Sequence, residues 1–227
     1  MYQHSLSNTT GLLILLVAIS HPSASSAVQY ISSDTYTRYE LLAPESHQFK
    51  IYYEVTETRP GAKYHFNAIR EGAEASDESV IDLATGKPLK FDVVTGAQAN
   101  EASGDKTNPQ AERFNPASKY IQVHLAHPVP VRGEYRLAII KTYKDDKSYY
   151  TEGDTIVFKR PLGIPRDSVV LPAGYEIVSS SVATQVLSEK DGRLKLAFVN
   201  PGSGGQLEVN IKARRLPAPA RKAEVTR

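Results

Sequence analysis

The fold is decided in the last third of the chain, where residues 194–200 (LKLAFVN) and 207–212 (LEVNIK) alternate apolar with polar side chains. Successive side chains of a β-strand point to opposite faces, so a period of two is typical of a strand with one buried face. Asp191 and Gly192 separate the first of these segments from residues 182–188. An Asp-Gly dipeptide between two strands fits a type I′ turn, whose central residues both need a positive φ. These residues therefore predict a β-hairpin followed by a third strand.

The same alternation recurs toward the N-terminus, and turn residues separate the segments that carry it. The segments predicted as strands are residues 49–56, 64–68, 89–93, 120–125, 135–140 and 156–158. Such spacing favours antiparallel pairing over β-α-β units, and no window shows an apolar stripe with the period of a helix. We therefore predict an all-β protein: an antiparallel β-sandwich, immunoglobulin-like or saddle-like, with a C-terminal group of strands.

The composition excludes several classes of function. The 227 residues contain 27 Lys+Arg and 25 Asp+Glu, so the nearly neutral chain lacks the basic character that nucleic-acid binding requires. It contains no cysteine, which excludes disulfides, thiolate metal sites and a cysteine nucleophile. We therefore expect no nucleic-acid partner.

Residues 1–27 have the pattern of a signal peptide. The apolar run at 12–19 is too short to span a bilayer, and Ser25 and Ala27 occupy the −3 and −1 positions of a small-x-small cleavage site. No Lys or Arg precedes Arg38, so the usual basic n-region is missing, and a buried N-terminal strand or helix is the alternative. We expect a secreted or periplasmic protein with no membrane segment after cleavage.

The mature chain divides into segments of different composition. We predict an N-terminal β-sandwich at 28–160 with a long loop at 96–118, a C-terminal strand group packed on it at 161–213, and a disordered basic tail at 214–227. Three prolines make residues 160–172 a stiff connection between the two groups. The strand group is small for an independent core, so one continuous module is the alternative to two domains.

The candidates for a metal site are weak. His124 and His127 form an H-x-x-H pair, but positions an odd number apart on a strand point to opposite faces. A third ligand, such as His47 or His65, would have to come from elsewhere in the chain. The acids around Tyr149 and Tyr150, namely Asp145, Asp146, Glu152 and Asp154, lack the spacing of a calcium loop and fit a solvated hairpin tip.

Tyrosine is the enriched residue type, with 13 in the chain, and exposed tyrosines can stack on sugars or peptides. Ordinary packing in the sandwich is the alternative. Five tyrosines are expected on exposed faces: Tyr52, Tyr120, Tyr143, Tyr149 and Tyr150. The candidate ligand-binding residues are Tyr120, His124, Tyr143, Tyr149 and Tyr150.

A family resemblance lies in the first part of the mature chain. Residues 39–49 (YELLAPESHQF), with the strand that follows to Glu57, resemble the opening of the N-terminal β-sandwich of M1-family aminopeptidases. Residues 76–80, 85–89 and 160–165 resemble small exported bacterial proteins of unknown function. The resemblance implies a saddle-like sandwich that positions or shields something. The peptidases' Gly-x-Met-Glu-Asn segment and zinc motif do not occur in this sequence, so no catalytic residue is carried over.

We therefore expect an exported, non-catalytic accessory or binding module without a cofactor, acting through non-covalent contacts with a protein or glycan outside the cytoplasm. One alternative is a carbohydrate-binding module that uses exposed tyrosines. The other is a metal-dependent hydrolase that uses the His124/His127 region.

Overall fold

The computed structural model describes residues 35–72, 74–103, 114–200 and 205–217. The predicted signal peptide, residues 104–113 of the predicted long loop and residues 218–227 of the predicted tail lie outside these ranges. Within them, no helix is long and apolar enough to cross a membrane.

Strands make up most of the described chain, as the alternation predicts. A short 3₁₀ helix covers Pro44–Ser46, and helix α1 covers Gly96–Ala102. The strands are β1 (Tyr36–Leu41), β2 (Gln48–Glu57), β3 (Tyr64–Ala68), β4 (Glu74–Asp82), β5 (Phe91–Thr95), β6 (Lys119–His124), β7 (Tyr135–Lys144), β8 (Tyr149–Glu152), β9 (Thr155–Leu162), β10 (Arg166–Val170), β11 (Tyr175–Ser180), β12 (Gln185–Ser188), β13 (Leu194–Val199) and β14 (Leu207–Arg215).

The strands form three sheets. A seven-stranded sheet has the order β12-β13-β10-β1-β2-β7-β4, a four-stranded sheet the order β11-β14-β9-β8, and a three-stranded sheet the order β3-β6-β5. The all-β sandwich is confirmed, but the expectation of purely antiparallel pairing is wrong at one place. Strands β1 and β10 are parallel, with Tyr39 opposite Val169. Parallel neighbours need a long crossover, and here the chain runs through the other two sheets before β10 returns beside β1.

Both smaller sheets pack on the same face of the seven-stranded sheet, which we call the inner face. Strands β2 and β7 pair from Phe49 opposite Tyr143 to Glu57 opposite Tyr135, so their odd-numbered side chains share that face. At one end these side chains join a core with the four-stranded sheet that includes Phe49, Phe158, Leu196, Phe198, Val209 and Ile211. At the other end they join a core with the three-stranded sheet that includes Val55, Val80, Ile121, Val123, Leu137 and Ile139. The inner face therefore carries two cores side by side.

Helix α1 corrects the expectation that residues 96–118 are entirely loop. Thr95 and Gln98 form a capping box, in which each side chain bonds to the backbone N–H of the other residue. Gly96 is required where the helix begins, because a Cβ there would lie 1.8 Å from the carbonyl oxygen of Asn115. The helix and Phe114 cover the outer face of the three-stranded sheet by packing on Phe66. The helix has only seven residues, too few for a periodic apolar stripe to show in the sequence.

Residues 160–172 are not a simple connection. Strand β9 continues to Leu162, and β10 forms between Pro165 and Pro172. Proline is excluded only where its nitrogen would have to donate to a neighbouring strand, and residues 166–170 contain no proline. The predicted basic tail also begins too early, because Arg214 and Arg215 belong to β14 and pair with β11.

The hairpin at Asp191 and Gly192 is present, but its turn is not the predicted type I′. Strands β12 and β13 pair up to Ser188 opposite Leu194, which leaves a longer loop than two residues. Gly192 has a φ of 82°, whereas among the described non-glycine residues only His47 and Asp77 have a positive φ. Asp191 instead accepts hydrogen bonds from the backbone and side chain of Arg193. A positive φ at a single glycine fits the three-residue hairpin loop that ends in a glycine bulge.

Candidate binding cleft

An open cleft lies on the inner face of the seven-stranded sheet. It has a volume of about 230 Å³ and draws side chains from all three sheets, because the inner face runs beneath both smaller sheets. Its lining residues are Thr37, Tyr39, Ile51, Tyr53, Asn67, Ala68, Arg70, Lys141, Tyr143, Arg160 and Ile164. We call it the central cleft.

Lys141 is the most unusual residue of the central cleft. It is only 4% exposed, and its ammonium donates a 2.6 Å hydrogen bond to Oδ1 of Asn67 and lies 4.9 Å from the ring centre of Tyr143. No carboxylate of the described residues forms a salt bridge with it. Burial, together with the positive charge of Arg160, lowers the pKa of Lys141 from 10.5 to about 8. The cleft therefore contains a buried cation that no ion pair with a described residue offsets.

Arg160 is a second buried cation in the cleft. Its guanidinium lies 5.6 Å from the ring centre of Tyr39, 5.4 Å from that of Phe49 and 5.8 Å from that of Tyr143. These distances are in the range of cation–π interactions. One long contact, 3.4 Å from Nη1 to Oδ2, joins it to the carboxylate of Asp145. Three rings and one carboxylate thus hold the guanidinium over the inner face.

Asp167 is a buried acid beside the cleft. It lies opposite Thr37 on the neighbouring strand, so the two side chains are neighbours on the inner face. The residue is 3% exposed, and neither of its carboxylate oxygens has a hydrogen-bond partner among the described residues. Burial raises the pKa of Asp167 from 3.8 to about 7, although Arg160 acts in the opposite direction.

These three charged residues belong to no local motif, so motif spacing does not predict them. The sequence does carry a signal for two of them, because Lys141 follows Ile139 and Arg160 follows Phe158 at the two-residue spacing of inward side chains. Asp167 precedes Val169 in β10, which has no clear alternation. A charged residue at an inward position of an amphipathic strand is expected either to be buried or to line a cleft.

Two of the predicted ligand-binding tyrosines lie in the core. Tyr143 is 2% exposed and Tyr149 is fully buried, with its hydroxyl donating to the carbonyl of Leu42. The expectation that both lie on exposed faces is wrong, because both occupy inward positions of their strands. Tyr143 still reaches the cleft as part of its wall, whereas Tyr149 packs between two sheets.

The other predicted site residues are part-exposed and lie on different sheets. Tyr120 packs edge-on against Phe114, and Nε2 of His124 lies 2.7 Å from Oδ2 of Asp92. Both belong to β6 of the three-stranded sheet, whereas Tyr150 belongs to β8 of the four-stranded sheet. The structure therefore does not join these residues into one platform.

The remaining candidate ligands do not converge. His127 stacks near Tyr135, and Nδ1 of His47 lies 3.0 Å from the carbonyl of Tyr149. His65 hydrogen-bonds to the buried Glu57. Across the described ranges, no group of three or more histidine and acidic residues could hold a metal ion.

Glu57 is nevertheless a strongly held acid. Burial alone would raise its pKa, but hydrogen bonds from Arg59 and His65 outweigh burial and lower the pKa well below its usual range. The bond from His65 joins the end of β2 to β3 and so helps to position the three-stranded sheet on the inner face.

The acids predicted around Tyr149 are also separated. Asp145 is buried and faces Arg160, with Oδ2 accepting a 2.7 Å hydrogen bond from Ser148. Glu152 forms a 2.8 Å ion pair with Lys212. Asp145, in the connection between β7 and β8, therefore contacts Arg160, whereas Glu152, in the β8–β9 hairpin, joins β8 to β14.

Solved structures of larger proteins resemble this fold. The M1 zinc metallopeptidase from Deinococcus radiodurans aligns with a TM-score of 0.45 and 12% identity, covering 79% of this chain and 41% of that one. An aminopeptidase N family protein from Idiomarina loihiensis aligns with a TM-score of 0.43 and 7% identity, covering 78% of this chain and 29% of that one. This chain thus spans less than half the length of either structure.

The similarity is weak and fits the predicted resemblance to the N-terminal domain of these peptidases. No protein-family model and no curated protein matches the sequence.

Proposed function

We propose that the protein is an exported, non-catalytic binding module that takes its ligand in the central cleft. Export is supported by the apolar run at 12–19 and by the small residues Ser25 and Ala27. Mass spectrometry of the native protein should find an N-terminus near Val28, and an intact Met1 would contradict export.

The observation that carries the proposal is the placement of Lys141 and Arg160. Charged residues are almost never fully buried without partners, because removing a charge from water is costly. Two cations in the wall of one open cleft, only one of them facing a carboxylate, fit a site whose remaining polar contacts come from a ligand. The aromatic rings of Tyr39, Tyr53 and Tyr143 give the same cleft the apolar surface that binding sites typically have.

A substitution that fills the central cleft tests whether the ligand binds there. Ile164 lines the cleft in the turn before β10, so Ile164→Trp fills space there without changing the charge. The control is Val131→Trp, because Val131 is 83% exposed and does not line the central cleft. Four probes cover the main ligand classes: glucose, glucuronate, inorganic phosphate and the peptide Ala-Ala-Ala. Binding is followed by isothermal titration calorimetry.

We expect at least one probe to bind the wild type and Val131→Trp but not Ile164→Trp, and to be recovered chemically unchanged. Equal binding to Ile164→Trp would place the site elsewhere. Binding of none of the four probes, or recovery of a hydrolysed probe, would also contradict the proposal.

A further inference from the structure

The charges of the central cleft indicate which ligand it takes. We propose, building on the proposed function, that the cleft binds an oxyanion, the carboxylate or phosphate group of a small ligand, and that Lys141 is the residue that holds it. Arg160 and Arg70, which also line the cleft, attract the oxyanion by their positive charge.

The ammonium of Lys141 retains capacity to bind a ligand. A lysine ammonium has three N–H donors, and one of them goes to Asn67. A ligand oxygen accepting a second donor would supply the negative charge that the described residues do not. Charge-assisted hydrogen bonds of this kind are stronger than neutral ones.

The two arginines reach the same space from different parts of the chain: Arg160 lies on β9, and Arg70 lies after the end of β3. Arg160 is fixed over three rings, so its guanidinium is already positioned. Arg70 follows β3 and is exposed, and its backbone N–H donates a 3.3 Å hydrogen bond to the hydroxyl of Tyr143. Arg70 thus lies where an anion would enter, whereas Lys141 and Arg160 lie deeper.

The acids of the region do not cancel this charge. Asp145 accepts a hydrogen bond from Ser148 and contacts Arg160. The charge of Glu78 favours the protonated form of Lys141, but Glu78 forms no salt bridge to it. Asp167 lies beyond Thr37, and burial holds part of it in the neutral form near pH 7. Asp145 is engaged, Glu78 forms no salt bridge to Lys141, and Asp167 is partly neutral, so the three cations leave the cleft positive.

The size of the cleft limits the ligand. A volume of about 230 Å³ suits an oxyanion group with one sugar-sized or amino-acid-sized body, while a longer ligand would extend out of the opening. Glucuronate and glucose form a matched pair of probes because they differ in one carboxylate. Inorganic phosphate tests the oxyanion alone.

The experiment is calorimetric titration of the full chain with glucuronate, glucose and inorganic phosphate at pH 7 and low ionic strength. Lys141→Met removes the buried charge. Lys144→Met is the matched control, because Lys144 lies on the same strand, is exposed and points to the opposite face. A thermal melt of each variant establishes that it is folded.

We expect glucuronate and phosphate to bind the wild type and Lys144→Met, and glucose to bind at least tenfold more weakly than glucuronate. Lys141→Met should lose about 10- to 100-fold in affinity for both anions, the range for a hydrogen bond to a charged group. Arg70→Met should lose less, because exposed charges are screened by water and salt.

Three results would overturn the inference. Equal loss of anion binding in Lys141→Met and Lys144→Met would show attraction by surface charge alone. Failure of both anions to bind the wild type would also overturn it. Glucose binding as tightly as glucuronate, unaffected by Lys141→Met but abolished by Ile164→Trp, would refute the anion site while leaving the proposed function intact.

Discussion

Single charged residues at buried positions of three strands give this sandwich its unusual chemistry. Lys141, Arg160 and Asp167 each occupy a buried strand position, where apolar side chains usually lie. Apolar residues at these positions would stabilise the core directly, whereas buried charges cost free energy unless they are well paired. Asp167 and Lys141 should therefore each make a separate contribution to the pH dependence of stability.

Asp167 should destabilise the fold above neutral pH. Its pKa is raised from 3.8 to about 7, so the folded state binds more protons than the unfolded state between these values, and stability falls as the pH rises through them. Asp167→Asn keeps the shape and removes the ionisation. We expect the variant to be more stable than the wild type by on the order of 3–4 kcal/mol at pH 8 and about equally stable at pH 3.5.

Urea unfolding at both pH values measures the difference. The control is Asp154→Asn, which neutralises an exposed aspartate in the turn between β8 and β9. An Asp167→Asn variant that loses stability at pH 8 would show that the carboxylate is favourably paired in the folded protein.

Lys141 should make the stability of the fold rise with pH in the alkaline range, which is opposite to the effect of Asp167. Its pKa is lowered from 10.5 to about 8, so the unfolded state binds more protons between these values and stability rises with pH. The stability of the wild type relative to Lys141→Met should therefore increase by on the order of 3 kcal/mol between pH 7 and pH 10. The subtraction cancels the contribution of every other group that titrates equally in both proteins.

Chemical unfolding at several pH values in this range is the measurement. Lys144→Met should track the wild type throughout, since Lys144 is exposed. A difference between wild type and Lys141→Met that stays constant with pH would contradict a depressed pKa in the folded state.

At the scale of elements, helix α1 depends on one close backbone approach. Gly96→Ala places a Cβ 1.8 Å from the carbonyl oxygen of Asn115, so the segment after the helix must shift. We expect a loss of about 1–3 kcal/mol, the range for overpacking. Gly205→Ala is the control, because no atom of the described residues lies within 4 Å of its added Cβ.

Thermal unfolding and amide hydrogen exchange would measure both variants. The loss of protection should be confined to the helix and to Phe114 with the residues after it. An alanine variant at position 96 as stable as the one at position 205 would contradict the described contact.

The sequence predicts an element well when the element is long and its side chains alternate regularly. Strands such as β2, β7 and β14 alternate over six or more residues, and the sequence predicts them directly. Strands β1 and β10 were not predicted, since neither is an obvious alternating run between turns, and their parallel pairing depends on distant segments. The cleft was not predicted either, because its residues come from all three sheets and form no local motif.

At the scale of the whole molecule, N-terminal and C-terminal strands share one sheet and one core. Strand β10 lies between β1 and β13, and Phe198 belongs to the same core cluster as Phe49. Phe198→Ala should cost roughly 3–5 kcal/mol, the range for removing a buried aromatic side chain. Probes in β2 and in β13 should report one common midpoint, lowered equally by the mutation.

Denaturant unfolding followed by amide exchange provides both probes. Two separate transitions, with only the later strands affected by Phe198→Ala, would indicate independent domains. The exposed Val199, on the same strand, gives Val199→Ala as a control that should leave the midpoint nearly unchanged.

The central claim is that ligand binds in the central cleft, and NMR chemical-shift mapping of the wild type tests it most directly. Each of the four probes is titrated into the labelled protein. We predict that at least one of them shifts the side-chain amide of Asn67 and the backbone amides of residues 37–39 and 141–143 together. Saturable shifts confined to Asp92 and His124, or to Tyr150, with the cleft residues unmoved, would contradict the claim.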